Sequence, residues 1–397
     1  MRHERTIRRR PLAVALGLAG LVAGCGAESP VPPAGTPVPT PSAAPSVAPA
    51  AFAYVVDPQA SALLAFEADA VSGDLRLVEA RGILPAWTSF PTRIAADPRG
   101  RFVYAGLANP SPGAGPTHAL WSFAVEGSTG RLLARGEDWL TFPPVSLAAT
   151  EDRVHVLGGV YTTGYIGSWD VFAVDSGTGA LRRATWPPQR FYPSIVVEGG
   201  DPDVVYTVAA PSDALWPAES MFASRWKNEG TLVDVDSIKL QRNTSDVALG
   251  GSLSYMADES GRISWRTFDA RTGQIRLLGR VDAFEGGPAR LAMGRPTIPR
   301  LSTTGPRPGT MIAVSSRAGL HLLEVGEGGE PSPRGSIDLP GLERVRRLAF
   351  HPSGRFLYTS GEGEGLRIFR VDSDGSLQET AREMQGGGEI VLTVPPS

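Results

Sequence analysis

The sequence predicts an all-β fold: a seven-bladed β-propeller of four-stranded blades over residues 51–397. Three observations carry that expectation. A strand–turn–strand unit recurs at intervals of about 50 residues; two distant stretches, "AADPRGRFVYAG" (Ala95 to Gly106) and "AFHPSGRFLYTS" (Ala349 to Ser360), nearly repeat each other; and what the first repeat lacks, the end of the chain supplies. Fixed-period self-similarity of this length marks a repeat architecture.

Residues ahead of the repeats read differently. Arg2, Arg5 and Arg8–Arg9–Arg10 precede a short apolar run, "PLAVALGLAGLVAG", too brief for a comfortable membrane span and shaped like a signal peptide. It ends in "LVAGC", which resembles the lipobox of bacterial lipoproteins. That resemblance implies cleavage after residue 24 and lipidation of Cys25, the single cysteine of the chain. Arg9–Arg10 followed by Pro11–Leu12 leaves both general secretion and twin-arginine export open. Residues 25–50 are the lipidated cysteine and a Pro-, Ala-, Ser- and Thr-rich stretch, which cannot build a core and should form an extended tether. The expected location is the cell envelope, anchored by lipid. Gly26 after the cysteine, in place of a retention-type Asp, favours the outer membrane or the cell surface.

Charge and cysteine content exclude several classes. Residues 1–24 carry five Arg against one Glu, so a formal charge of −3 for the whole chain leaves about −7 for the rest. An exported, mildly acidic domain is not a nucleic-acid binder. One cysteine permits no intramolecular disulfide and no cysteine-based zinc site, and the sequence calls for no metal and no cofactor.

From Ala51 the repeat can be followed blade by blade. Its clearest element is a strand ending in an acidic residue, a turn with Gly, and a second strand. It appears as "AFEADAVSGDLRLVE", "SFAVEGSTGRLLARGE", "VFAVDSGTGALRR", "TFDARTGQIRLLG" and "IFRVDSDGSLQE", with Phe66, Phe123, Phe172, Phe268 and Phe369 in the same place. Gly73, Gly130, Gly179, Gly273 and Gly375 stand where a hairpin turn needs positive φ. "RWKNEGTLVDV" and "LLEVGEGGEPSPRG" are degenerate copies and bring the count to seven. In a full unit four strands can be read, as in "TRIAAD", "RFVYAG", "LWSFAVE" and "RLLARG", and β-branched and aromatic enrichment with frequent turn residues favours strand over helix. Pro98 and Pro352 suit the second position of a type I turn closed by Gly100 and Gly354. The first unit begins at "FAYVVD" without an innermost strand, while the last is complete and continues into "EIVLTV". Residues Glu389–Val394 are therefore expected to close the ring beside the N-terminal strands, leaving no open inter-blade seam.

"DPRGRFVY", "HPSGRFLY" and the five acidic-turn hairpins resemble the lactonase-type seven-bladed propellers, the 6-phosphogluconolactonase-like family, over about residues 51–397. The resemblance implies a site at one mouth of the central channel, with opening of a lactone ester as its possible chemistry. Members of that family often read Pro-Arg-His where the innermost strands begin. Here Arg93, Arg290 and Arg347 stand in place of the His, Thr92 and Ala289 replace the Arg, and Arg346 alone keeps it.

Aligned at the start of the innermost strands, the repeats give Arg93, Ser146, Ser194, Asp246, Arg290, Arg347 and, from the closing strand, Glu389. Side chains at the head of converging strands could ring the mouth, and the arginines would hold a carboxylate or phosphate through bidentate hydrogen bonds. The same arginines could instead pair with Glu389, Asp246 and backbone carbonyls. Loops leading into these strands carry "WTSFP" and "WLTFP", with "WPPQRFYP" as a looser third, so Trp87, Trp139 and Trp186 are candidates either for ligand contact or for capping the core between blades. As general bases, Glu389, Asp246 and His118 are the available candidates, His118 being assigned to a loop; His155 and His321 fall inside strands, and His351 falls at a turn on the opposite face. No G-x-S-x-G, H-E-x-x-H or P-loop motif is present.

The sequence thus points first to an envelope lipoprotein, monomeric and membrane-attached through its N-terminal lipid, whose propeller binds an anionic small molecule or an envelope protein. The alternative is a lactonase-like hydrolase. The shortage of histidines favours binding. Export sets aside a cytoplasmic sugar-phosphate role.

Overall fold

Short apolar runs interrupted every few residues by Pro, Gly and Asp fold here as antiparallel strands with tight turns. The computed structural model describes residues 51–58, 60, 62–82, 93–108, 118–161, 165–184, 193–198, 204–209, 220–227, 231–240, 244–250, 253–258, 262–269, 272–282, 290–294, 311–315, 319–338, 345–361, 365–383 and 387–395. Residues 1–50, with the expected signal peptide, Cys25 and the expected tether, lie outside them. Among the described residues there is no helix. Twenty-eight strands form seven four-stranded sheets.

The inner strands of blades one to seven are Ile390–Thr393, Arg93–Ala96, Pro144–Ala149, Pro193–Glu198, Thr244–Gly250, Arg290–Gly294 and Val345–Phe350. Each lies against the inner strand of the next blade all the way round, so the ring is closed. Closure follows the three-plus-one scheme expected from the repeats. The C-terminal strand Ile390–Thr393 pairs antiparallel with the N-terminal Ala51–Asp57, Phe52 opposite Thr393 and Val55 opposite Ile390. Gly388 N donates to the Val56 carbonyl at 2.9 Å and Val56 N to the Glu389 carbonyl at 3.0 Å, extending that pairing by one rung.

Seven apolar clusters, one between each pair of adjacent blades, make up the core. Second strands point alternate residues forward to the following blade, and these form a Phe-x-Tyr pattern. Phe52 and Tyr54, Phe102 and Tyr104, and Phe356 and Tyr358 follow it, and Val204 with Tyr206 and Leu253 with Tyr255 are variants. The aromatic ring of each pair lies on the turn glycine of the next blade's outer hairpin. A Cβ on Gly130 would sit 2.3 Å from the Phe52 ring, one on Gly73 the same distance from Phe356, and one on Gly179 2.4 Å from Phe102. All three glycines have φ between 73° and 78°, so glycine is required there both for conformation and for space. Tyrosine completes the contact from above: Tyr54 Oη donates to the Gly130 carbonyl at 3.0 Å, Tyr255 to Gly329 at 2.9 Å and Tyr358 to Gly73 at 2.9 Å. Burial raises the pKa of all three hydroxyls well above the ordinary tyrosine value, so they remain donors.

The repeated third-strand phenylalanines face backward into the same clusters. Phe268 stacks on Tyr206 of the preceding blade with ring centroids 4.0 Å apart. Two blades break the forward pattern. Blade three has Arg153 and His155 in the Phe and Tyr places, and blade six has Met311 and Ala313.

Outer strands share a further device. In six blades one residue, such as Val78, Arg135, Val235, Leu278, Arg334 or Thr380, is bulged out between paired neighbours. A bulge at the same height in each bends the exposed outer edge away from flat pairing with another sheet.

Removing the hydroxyl in Tyr54→Phe leaves the buried Gly130 carbonyl unpaired and should cost about 1–2 kcal/mol. Gly130→Ala adds backbone strain and a clash with Phe52 and should cost about 2–4 kcal/mol. Urea denaturation of the two variants checks the order, and a cost-free Gly130→Ala would refute the contact.

Candidate functional site at the head of the inner strands

The strand registers place one residue from each blade at the same height around the axis. Arg93 pairs with Gly106, Ser146 with Leu157, Asp246 with Ala257, Arg290 with Ser315 and Arg347 with Ser360, each two residues beyond the Tyr position of its second strand. Glu389 joins them from blade one through its backbone bond to Val56. The structure brings together six of the seven aligned positions. The seventh differs: Ile195, opposite Val208, occupies this height in blade four, and Ser194 is the extra residue of a bulge. Comparable bulges fall between Pro144 and Ser146, Thr244 and Asp246, and Val345 and Arg347, so Arg346 is also a bulged residue. An irregularity of this kind adds a residue without changing the apolar pattern, so alignment by composition alone cannot see it.

Electrostatics at this ring are dominated by one pair. Arg93 Nη1 donates to Glu389 Oε1 at 3.0 Å, Arg93 Nε donates to the Val145 carbonyl at 2.6 Å, and Ile94 N donates to Glu389 Oε2 at 3.2 Å. Glu389 is 4% exposed. Both its oxygens are engaged, and its carboxylate links the closing strand of blade one to the inner strand of blade two. Arg93 carries the link onward to blade three. Asp246, also buried, accepts from Val247 N at 3.0 Å. Ser146 is half-buried. Arg347 is half-buried at the head of blade seven and takes no hydrogen bond or ion pair among the described residues. Backbones of Ser194, Arg290 and Arg346 are placed, while their side chains lie outside the described set, as do Trp87 and Trp186 entirely.

Trp139 is nearly half exposed, at the upper end of the outermost strand of blade two. Three strand spacings separate it from the inner strand, about 14 Å. It therefore stands on the outer rim. The rest of its motif straps blade three: Leu140 is buried, Thr141 donates through N and Oγ1 to Asp170 at 2.9 Å each, and Gly159 N donates to the Pro143 carbonyl at 3.0 Å.

The histidines divide as follows. His118 opens the third strand of blade two, His118–Val125, and is not a loop residue; burial lowers its pKa, and its buried Nδ1 has no hydrogen-bond partner among the described residues. It lies two strands out from Arg93. His155 is fully buried, in the Tyr place of blade three. Its Nδ1 accepts from Trp169 Nε1 at 3.3 Å, and burial, reinforced by Arg153, lowers its pKa to about 3. His321 lies within strand Gly319–Val325, and burial lowers its pKa. His351 is buried in the turn on the opposite face, with Nδ1 2.8 Å from Ser353 Oγ.

Solved structures of known proteins share this fold. The chain is similar to the periplasmic gluconolactonase PpgL of Pseudomonas aeruginosa, with 18% identity over 87% of this chain and 99% of that one, at a TM-score of 0.67. A putative 6-phosphogluconolactonase from Bacteroides fragilis gives 14% identity, 88% and 100% coverage and a TM-score of 0.67, and one from Bacteroides uniformis gives 14%, 86% and 99%, and 0.64. Its structural neighbours are 6-phosphogluconolactonase-like seven-bladed propellers. At these identities the likeness shows the fold alone. No family profile and no curated protein matches the sequence.

Two outcomes follow from the site. Glu389→Gln weakens the closing link and leaves Arg93 uncompensated, so urea denaturation should show a loss of about 3 kcal/mol whatever the activity. His155 is neutral when folded and ordinary when unfolded, so the folded state is unaffected above about pH 6.5 and loses stability as pH falls from there toward 3. Between pH 7 and 5 the loss should be about 2 kcal/mol. His155→Gln should flatten that slope in urea titrations, and an unchanged slope would assign it to other groups.

Proposed function

We propose that the protein is an exported binding protein of the cell envelope, attached to the membrane through a lipid on Cys25, whose propeller holds an anionic small molecule at the Arg347 side of the mouth. The observation that carries the reading is Arg347: a half-buried guanidinium at the head of an inner strand that takes no ion pair among the described residues. Arg93, by contrast, is committed to Glu389 and the Val145 carbonyl. A partly desolvated, unpaired guanidinium favours a carboxylate or phosphate through charge-assisted bidentate bonds. The periplasmic solved neighbour supports an envelope location.

Hydrolysis of a lactone is the second reading, supported by the names of the solved neighbours. Against it stands the chemistry of the described residues. Glu389 is occupied on both oxygens, Asp246 is buried and bonded to its own strand, and His118 is two strands from the ring. A general base needs hydrogen-bond reach of the reacting water.

A thermal-shift screen of the full chain against sugar acids, phosphorylated sugars and lactones tests both readings. A ligand at a hundredfold excess over its Kd should add about 2.7 kcal/mol of stability. Arg347→Ala should abolish the shift, and an anionic ligand that stabilises this variant equally would refute the site. Release of acid from a lactone hit would establish the hydrolase reading.

A further inference from the structure

The face opposite the mouth carries a cleft of about 510 Å³ between blades six and seven. It opens where the forward aromatic contact is missing, since Met311 and Ala313 replace Phe and Tyr. The turn glycine of blade seven, Gly375, then faces Arg334 of blade six, with no ring covering it. Met311 and Val371 supply an apolar part of the lining and three arginines the rest of its character. Arg334 pairs with Glu324 at 2.7 Å and Arg370 with Asp372 at 2.9 Å. Asp374, between two lining residues, lies within electrostatic reach of Arg334, while Arg355, exposed beside them, takes no ion pair among the described residues and is the guanidinium of the lining without a carboxylate.

We infer that this cleft is a second ligand site, distinct from the mouth, and that it takes a monoanionic, polyhydroxylated acid of sugar-acid size. One uncompensated guanidinium matches one carboxylate in bidentate geometry. The two ion pairs present acceptors as well as donors, which hydroxyl groups use and a multiply charged phosphate is repelled by. Met311 offers the apolar surface against which the C–H face of such a ligand rests. The inference does not depend on the mouth being a binding site.

Isothermal titration calorimetry of the full chain with sodium D-gluconate at constant ionic strength tests it. The expected result is one-to-one binding that weakens at least tenfold in Arg355→Ala, persists in Arg347→Ala, and is not displaced by an equal concentration of inorganic phosphate. Arg355 is on the surface, so its replacement leaves the fold intact. Absence of binding at tens of millimolar would overturn the inference. So would binding lost in Arg347→Ala but kept in Arg355→Ala, which would place the ligand at the mouth, and so would equal displacement by phosphate, which would reduce the cleft to a bare cation contact.

Discussion

A tyrosine hydroxyl meeting the carbonyl of a turn glycine, with an aromatic ring seated beneath it, is the directed contact that joins blade seven to blade one and blade one to blade two, where the ring closes. It joins elements far apart in the chain: Tyr358 and Gly73 are 285 residues apart, yet their bond closes the interface between the last blade and the first. Sheets packed face to face around an axis have no covalent reason to hold a set spacing. Apolar burial favours contact but is non-directional. The directed bond and the space left by a missing Cβ set how far each hairpin approaches its neighbour, so the glycine and the tyrosine constrain each other.

Closure adds a second requirement at the opposite end of the strands. The inner strand of blade one is only four residues long and comes from the C-terminus. Its pairing with Ala51–Asp57 is reinforced by Glu389, which caps the first amide of the next inner strand after Arg93 and holds the Arg93 guanidinium. Side-chain anchoring at the join compensates for a short ladder. The same anchoring withdraws Glu389 and Arg93 from solution chemistry, so the head of the propeller is partly spent on holding itself together.

The architecture was legible in the sequence because its signals are local and repeated: turn glycines, a buried Phe at the same place in five of the third strands, and an incomplete first unit matched by a surplus strand at the end. "GRFVY" and "GRFLY" were visible as repeats, but their purpose was not, because it lies in contacts with glycines of another blade. Six of the seven residues at the head of the inner strands could be aligned from composition. Ser194 could not be separated from Ile195, since a bulge shifts register without altering the apolar run. The pairing of Arg93 with Glu389 was one of two readings open in the sequence, and only geometry distinguishes it. Trp139 shows the limit of motif recurrence, because a pattern repeated at two crossovers, with a looser third, need not face the axis. His118, read as loop, is the first residue of a strand.

Where the forward contact fails, the consequences depend on what replaces it. In blade three His155 takes the tyrosine place and is held by Trp169 Nε1, with Trp226 alongside and the Arg153 guanidinium 4.8 Å from the Trp226 ring, so the interface stays closed by aromatic packing. In blade six Ala313 leaves the place empty, and charged side chains line the gap. A repeat whose cores are each formed by only two neighbours can lose such a contact at blades three and six without losing the ring, because every interface keeps its apolar cluster. That tolerance separates fold from function here. The contacts that specify seven blades sit between sheets, whereas Arg347 at a strand head and Arg355 at the open interface take no ion pair among the described residues, so substitution there should cost the ring little.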